Sequence, residues 1–155
     1  MQEQIQIFHY TDKYKTVLQE LSYEWLNKYD LLEEEDEKML NDPTGIIIDN
    51  GGFIFMLSFD DLVIGTIALE KKSEEEFEIL KYAIRSDHQG KGIGAFLMDF
   101  IIQFAKDQGI QKLMLHSNTK LETALIIYEK FGFKQSKHID GKFEKSDLTF
   151  EMMLN

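Results

Sequence analysis

The sequence predicts a mixed α/β (α+β) fold, a mostly antiparallel sheet of about six to seven strands flanked by about four helices. Three observations predict it. Three strand-like runs follow one another through "GFIFMLSF", "LVIGTIALE" and "FEILKYAIR" with only short turns between them, which is the pattern of an antiparallel meander. A strongly periodic helix then separates the meander from a further strand, "KLMLHS". Strand–helix–strand within one sheet is a parallel crossover, so the sheet is mixed. One more helix precedes two terminal strands, "GFKQSKHI" and "DLTFEMML".

The elements follow in order. "QIQIF" alternates as a short first strand. From Asp12 to Tyr29, apolar residues Tyr14, Val17, Leu18, Leu21 and Trp25 keep helical spacing. "LLEEEDEKML", Leu31 to Leu40, predicts a second, very acidic helix stopped by "NDPTG". Its carboxylates from Glu33 to Glu37 read first as a solvated face, and second as a cation-attracting rim beside a cleft. Asp60 and Asp61 form a hairpin turn, a weaker signal than Asn-Gly, and "KKSEEE" makes the next turn. Ile93, Phe96, Leu97, Phe100, Ile101, Phe104 and Ala105 mark one face of the long helix, and Gly109 caps its end. "TKLETALIIYEKF" is a helix closed by Gly132, and the last two strands turn around "DGK".

The 155 residues are most simply one domain, 1–155, and 43% hydrophobic composition supports a substantial core. There is no cysteine, which excludes disulfides and protein thiolate chemistry. The four histidines share no metal-like spacing, so no metal is expected. His116 ends a strand near the presumed cleft, where contact with substrate competes with a structural role. A net charge of −11 argues against nucleic-acid or anionic-membrane partners. No leader pattern and no long apolar run appear, so a cytoplasmic protein is expected.

The chemistry concentrates in "HQGKGIGAFLMDF", where Gly90, Gly92 and Gly94 run straight into the periodic helix. A helix start leaves unpaired N–H groups and partial positive charge, which suits phosphate where the backbone is approachable. "QGKGIG" therefore reads as a pyrophosphate cradle of main-chain donors, with Lys91 adding a cation. The Walker A spacing is absent, and the dinucleotide fingerprint fails on both spacing and position.

"IRSDHQGKGIGAFLMDF" resembles the acetyl-CoA-binding segment of the GNAT superfamily, the Gcn5-related N-acetyltransferases, whose Gln/Arg-x-x-Gly-x-Gly/Ala signature is matched by Gln89, Gly92 and Gly94. "HSNTKLETALIIYEKFGF" resembles the family's second pattern through Asn118, Ala124, Tyr128, Gly132 and Phe133. With the strand order, the resemblance covers nearly the whole chain and is weakest over the first 50 residues.

The resemblance implies the GNAT fold, with a splayed strand pair forming an acetyl-CoA cleft. It implies pantetheine pairing with the main chain of Tyr82 and Ile84, pyrophosphate on the N–H groups of Gln89, Gly90, Lys91, Gly92, Ile93, Gly94 and Ala95, and Asn118 bonding the pantetheine arm. Gln89 stands where many members carry Arg. The implied reaction is direct acetyl transfer from acetyl-CoA to a primary amine, on a small molecule or on a lysine or N-terminus of a peptide. Tyr128 is the expected proton donor to the leaving thiolate and Glu78 the expected base, with Glu76 and Glu70 in reserve. The alternative is a non-catalytic acyl-CoA-binding or regulatory module. A homodimer is a further expectation, with the alternating "LTFEMML" completing an edge that another chain covers.

Overall fold

The computed structural model describes residues 4–138 and 143–154; the turn expected around "DGK" lies outside the described residues. Strand β1 is Ile5–His9. A short 3-10 turn leads into helix α1, Lys15–Lys28, and then helix α2, Glu34–Asn41. Strands β2 (Phe53–Phe59), β3 (Leu62–Lys71) and β4 (Glu76–Ile84) form the meander. Helix α3 (Ile93–Asp107), strand β5 (Lys112–Ser117), helix α4 (Glu122–Lys130) and strands β6 (Lys134–Ser136) and β7 (Leu148–Met153) complete the chain.

Two boundaries differ from the sequence reading. Helix α2 begins three residues later than expected, because Glu33 keeps an extended backbone and caps it. The Glu33 N–H donates to Asp36 Oδ2 at 2.9 Å, so the acidic run is partly capping machinery. A π-helical turn, Thr44–Ile48, follows Pro43, where the sequence suggested only a stop.

The seven strands are ordered β1-β2-β3-β4-β5-β7-β6. Every pairing is antiparallel except β4 with β5. The β2–β3 hairpin turns through Asp60 and Asp61, both with positive φ, +48° and +70°. Aspartate tolerates this left-handed backbone better than most residues, so "DD" works as a tight turn. Strand β7 lies between β5 and β6. It is not the edge that the homodimer expectation required; both of its sides are already paired within the chain.

The sheet is covered on both faces, which is why "FIFML" reads as a continuous apolar run and not as an alternation. Phe55, Leu57, Ile67 and Leu69 face α3 and the Leu97–Ile101 stripe. Ile54, Met56, Ala68 and Leu80 face Leu18 and Leu21 of α1, Met39 and Leu40 of α2, and Ile47. Phe96, placed in the buried stripe by spacing, is 51% exposed in the first turn of α3. Gly109 and Gly132, with φ of +76° and +93°, end α3 and α4 as the sequence indicates.

Candidate active site

The site begins where the sheet comes apart. Strands β4 and β5 pair only over Glu76–Glu78 with Lys112–Met114. Beyond that point they separate, and among the described residues β4 from Ile79 onward has no strand on that side. A bulge in β4 accompanies the split: Thr66 faces Ala83 and Ala68 faces Leu80, so Lys81 and Tyr82 together oppose Ile67. Lys81 has a φ of +51° there. Bulges bend a strand and turn main-chain groups out of the ladder. The gap is a cavity of about 370 Å³. It runs from Gln89, Gly90, Gly92, Gly94 and Ala95 at the start of α3, past Tyr82, Ile84, His116, Ser117, Asn118 and Tyr128, to Trp25, Tyr29, Asp36 and Phe143 at the α1–α2 corner.

The three glycines answer two different needs. Gly90 and Gly92 have φ of +80°, a backbone that only glycine adopts freely, and a Cβ on either would meet nothing within 4 Å. Gly94 makes no such demand. Its Cβ would lie 3.0 Å from Tyr82 Oη, and that hydroxyl donates to the Gly94 carbonyl. So 90 and 92 shape the turn, while 94 lets a strand tyrosine lock the helix start. Gly92 is the N-cap of α3 and has no side chain with which to cap that end. The Phe96 N–H bonds the Gly92 carbonyl, so the N–H groups of Ile93, Gly94 and Ala95 have no intrahelical acceptor. An uncapped, side-chain-poor helix start beside an open strand edge fits a long ligand carrying a pyrophosphate.

Two residues expected to help here sit elsewhere. The Lys91 ammonium lies 5.9 Å from the Phe59 ring and does not line the cavity. Ile93 is a core residue packed on the sheet, so it contributes its N–H alone. Along the strand edge, the Arg85 N–H bonds Ile64 on β3, so the groups of neighbouring Ile84 turn the other way. Gln89 Nε2 donates to that Ile84 carbonyl at 2.9 Å. Asn118 lines the cavity, but both ends of its amide are engaged within the chain. Nδ2 donates to the Lys145 carbonyl at 2.6 Å, and Oδ1 accepts the Lys120 N–H at 2.8 Å. Its visible work is to tie the segment before β7 to the end of β5.

Tyr128 is buried against Phe133 and Phe150, 6.4 Å from the Tyr82 ring, and lines the cavity. Burial pushes its phenol pKa well up, with the nearby Ser117 hydroxyl opposing, so it is protonated at neutral pH. Burial likewise raises the Tyr82 phenol. His116 Nδ1 is 3.1 Å from Thr149 Oγ1, and His138 Nδ1 is 3.1 Å from the same hydroxyl. Burial lowers the His116 pKa, helped by His138 and Lys72, so its imidazole is neutral at pH 7.

A family model described as "Acetyltransferase (GNAT) family" matches residues 14–133. The chain belongs to the acetyltransferase (GNAT) family. Curated relatives include a mouse protein named probable N-acetyltransferase family 8 member 5, 26% identical over 118 residues, which are 72% of this chain and 52% of that protein. Rat N-acetyltransferase 8B is 29% identical over 93 residues, 57% of this chain and 42% of the relative. The chain thus spans about half the length of the curated relatives it matches. Among solved structures, a GNAT-family acetyltransferase from Staphylococcus aureus Mu50 superposes with a TM-score of 0.89 at 21% identity, covering 98% of this chain and all of that one. PaiA N-acetyltransferase from Thermoplasma acidophilum, solved with coenzyme A, gives 0.76 at 20% identity over 97% of this chain and 99% of that one. A GNAT acetyltransferase from Elizabethkingia anophelis with acetyl-CoA bound gives 0.71 at 21%, over 97% and 98%. Acetyl-CoA is the cosubstrate of the family, and the glycine turn and split strands of this GNAT chain fit it.

Glu78 is not on the cavity wall of this GNAT site. At its position β4 is still paired with β5, opposite Met114, and the gap opens one residue later. The residue is 2% exposed, with Lys72 Nζ 3.5 Å from its carboxylate. The reserves Glu70 and Glu76 are paired with Lys72 and Lys112 at 3.7 and 3.4 Å. The acidic rim is also transformed. Glu33 and Asp36 do reach the cavity, but Glu33 accepts the N–H groups of Glu144 and Lys145 at 2.7 and 3.1 Å, and Asp36 is ion-paired with Lys81. Both partners of that pair are buried, at 3% and 8% exposure.

Sequence reasoning missed Lys81, Trp25 and Phe143 as cavity residues, and it placed Asp36 on a cleft rim without its lysine partner. Asp36 and Lys81 are 45 positions apart and belong to different periodic patterns. Trp25 was legible only as part of an apolar stripe. Among the described residues, no group of three or more His, Asp or Glu side chains is placed to hold a metal ion. No helix of the described residues is long and apolar enough to cross a membrane.

Proposed function

We propose that this chain transfers an acetyl group from acetyl-CoA to a primary amine by direct attack within a ternary complex. The observation that carries the reading is one cavity that joins the uncapped start of α3 to the α1–α2 corner through the β4–β5 gap, with Tyr128 and His116 in its wall. Acetyl-CoA supplies a thioester; the amine forms the new C–N bond, the C–S bond breaks, and one proton moves from nitrogen while sulfur gains one.

The chain's own residues divide the work. The N–H groups of Ile93, Gly94 and Ala95 hold the pyrophosphate, and the unpaired edge of β4 near Ile84 orients the arm. The bulge at Lys81 and Tyr82 turns main-chain N–H groups off the ladder, where one can meet the negative charge that develops on the carbonyl oxygen. Tyr128 donates its phenolic proton toward the leaving sulfur. Burial keeps the phenol protonated, so its proton is present when the negative sulfur forms.

His116 takes the base role in place of Glu78. The single hydroxyl proton of Thr149 can be given to only one of the two imidazoles, and its oxygen can accept from the other. With His116 Nδ1–H as the donor, its Nε2 carries the lone pair. Thr149 Oγ1 meets it from β7, the His138 ring lies 6.0 Å away just after β6, and the Lys72 ammonium of the β3–β4 turn disfavours an imidazolium.

The sign of the pH dependence follows. The base acts in its neutral form, so the rate holds at neutral pH and falls as pH drops through a His116 pKa lying below about 6.5. Steady-state release of CoA thiol should require both acetyl-CoA and an amine, and kcat/KM should show that acidic limb. His116→Gln should abolish the limb and lower kcat roughly 10²-fold. An unchanged limb in His116→Gln would remove His116 from the chemistry.

A further inference from the structure

The β4 bulge places one side chain whose effect reaches the cosubstrate. Side chains alternate between the two faces of a strand. Phe77 and Ile79 pack in the core under α3, and Leu80 packs in the core under α1 and α2. Strict alternation would put Tyr82 on the same face as Leu80. The bulge supplies one extra residue at Lys81 and Tyr82. Lys81 therefore turns to Asp36 of α2, while Tyr82 turns to α3 and packs with Ile84 against the core on that side.

There the Tyr82 hydroxyl donates to the Gly94 carbonyl, inside the first turn of α3. This acceptor matters because of its covalent neighbour. The Gly94 carbonyl and the Ala95 N–H belong to one planar trans peptide unit, in which they point in opposite directions. Holding the oxygen therefore sets the direction of the N–H. Ala95 lines the cavity, and its N–H is one of those at the helix start without an intrahelical acceptor. A donor that is aimed before its ligand arrives costs less to order on binding.

We propose that Tyr82 is a positioning residue for the cosubstrate: through Gly94, its hydroxyl aims the Ala95 N–H at the pyrophosphate. This rests on the reading of the α3 start as the pyrophosphate cradle, and it is independent of which amine is acetylated. The side chain acts apart from any main-chain pairing of Tyr82 with the pantetheine arm. Gly94 is the matching half of the device. A Cβ there would lie 3.0 Å from Tyr82 Oη, but at ordinary contact distances of 3.5 and 3.8 Å from Ile127 and Ile84. The phenol is thus the one tight neighbour of position 94, and a methyl group there would push against its hydrogen bond.

The test measures the Kd of CoA and the amide NMR spectrum of isotope-labelled protein for the unaltered chain, Tyr82→Phe, Gly94→Ala and the double variant. In the unaltered chain CoA should move the Ala95 amide proton downfield, as a charge-assisted hydrogen bond does. In Tyr82→Phe the Ile93 shift should persist, the Ala95 shift should shrink, and Kd should rise about fivefold, the size of one hydrogen bond. Gly94→Ala keeps the tyrosine and crowds its hydroxyl, so it should act in the same direction. It should cost less when residue 82 is already phenylalanine, because the hydroxyl it crowds is gone. An unchanged Kd or an unchanged Ala95 shift in Tyr82→Phe overturns the proposal. So does a Gly94→Ala loss of equal size in both backgrounds. A general loosening of the helix start would diminish the Ile93 and Ala95 shifts alike, and that result also overturns it. Failure of the unaltered chain to bind CoA is a different result, and it brings down the cradle reading itself.

Discussion

Replacing Tyr128 with phenylalanine is expected to lower kcat roughly 10²- to 10⁴-fold, the range for losing a positioned proton donor, while acetyl-CoA affinity stays close to its original value. The ring is held by Phe133, Phe150 and Tyr82, and those contacts survive loss of the hydroxyl. Only the donor disappears. Steady-state kinetics with ligand-binding measurements on the same variant separate the two effects. A Tyr128→Phe protein with unchanged kcat would make Tyr128 a packing residue, despite its place in the wall of the gap.

The largest expected effect on stability lies at Lys81. Lys81→Met leaves Asp36 buried without its partner, and breaking a buried pair on one side costs about 3–5 kcal/mol. For a chain of this size that is a drop in Tm on the order of 10 °C. Lys81→Met combined with Asp36→Asn removes the stranded charge and keeps the side-chain oxygen that accepts the Glu33 N–H, so it should recover most of the loss. Thermal unfolding of the two variants checks this. Equal destabilisation in both would mean that the bulge at residue 81, and not the ion pair, is what the lysine supports.

The frame of the molecule was legible because its signals are local. Strand runs, helical spacing and the glycines at 109 and 132 each report on their own neighbourhood, and the elements lie close to where those signals put them. The start of α3 was legible for a similar reason: a turn needing left-handed backbone at residues 90 and 92 writes glycine into the sequence. Gly94 carried a second meaning that no local pattern shows, because its constraint is the Tyr82 hydroxyl arriving from another element.

The wall of the site was harder to read because it depends on where two strands stop pairing. Glu78 and Ile79 are adjacent in sequence, yet one lies in the paired region and the other at the gap. Nothing in "EFEILKYAI" marks that point. The same holds for the role proposed for His116, which depends on the β7 threonine it meets, 33 positions later. The acidic run around Glu33 and Asp36 was read by composition, and composition cannot show that its two inward members are consumed by a cap, a loop and Lys81.

The most direct test of the central claim, that the split strands and the glycine turn form an acetyl-CoA cleft, is a thermal-shift titration with acetyl-CoA, CoA and ATP in parallel. A ligand that binds only the folded chain at 100 times its Kd contributes about 2.7 kcal/mol, which for this size raises Tm by roughly 5–10 °C. Shifts of that size with acetyl-CoA and CoA, and none with ATP, are the predicted result. No shift with acetyl-CoA at millimolar concentration, or an equal shift with ATP, would contradict it.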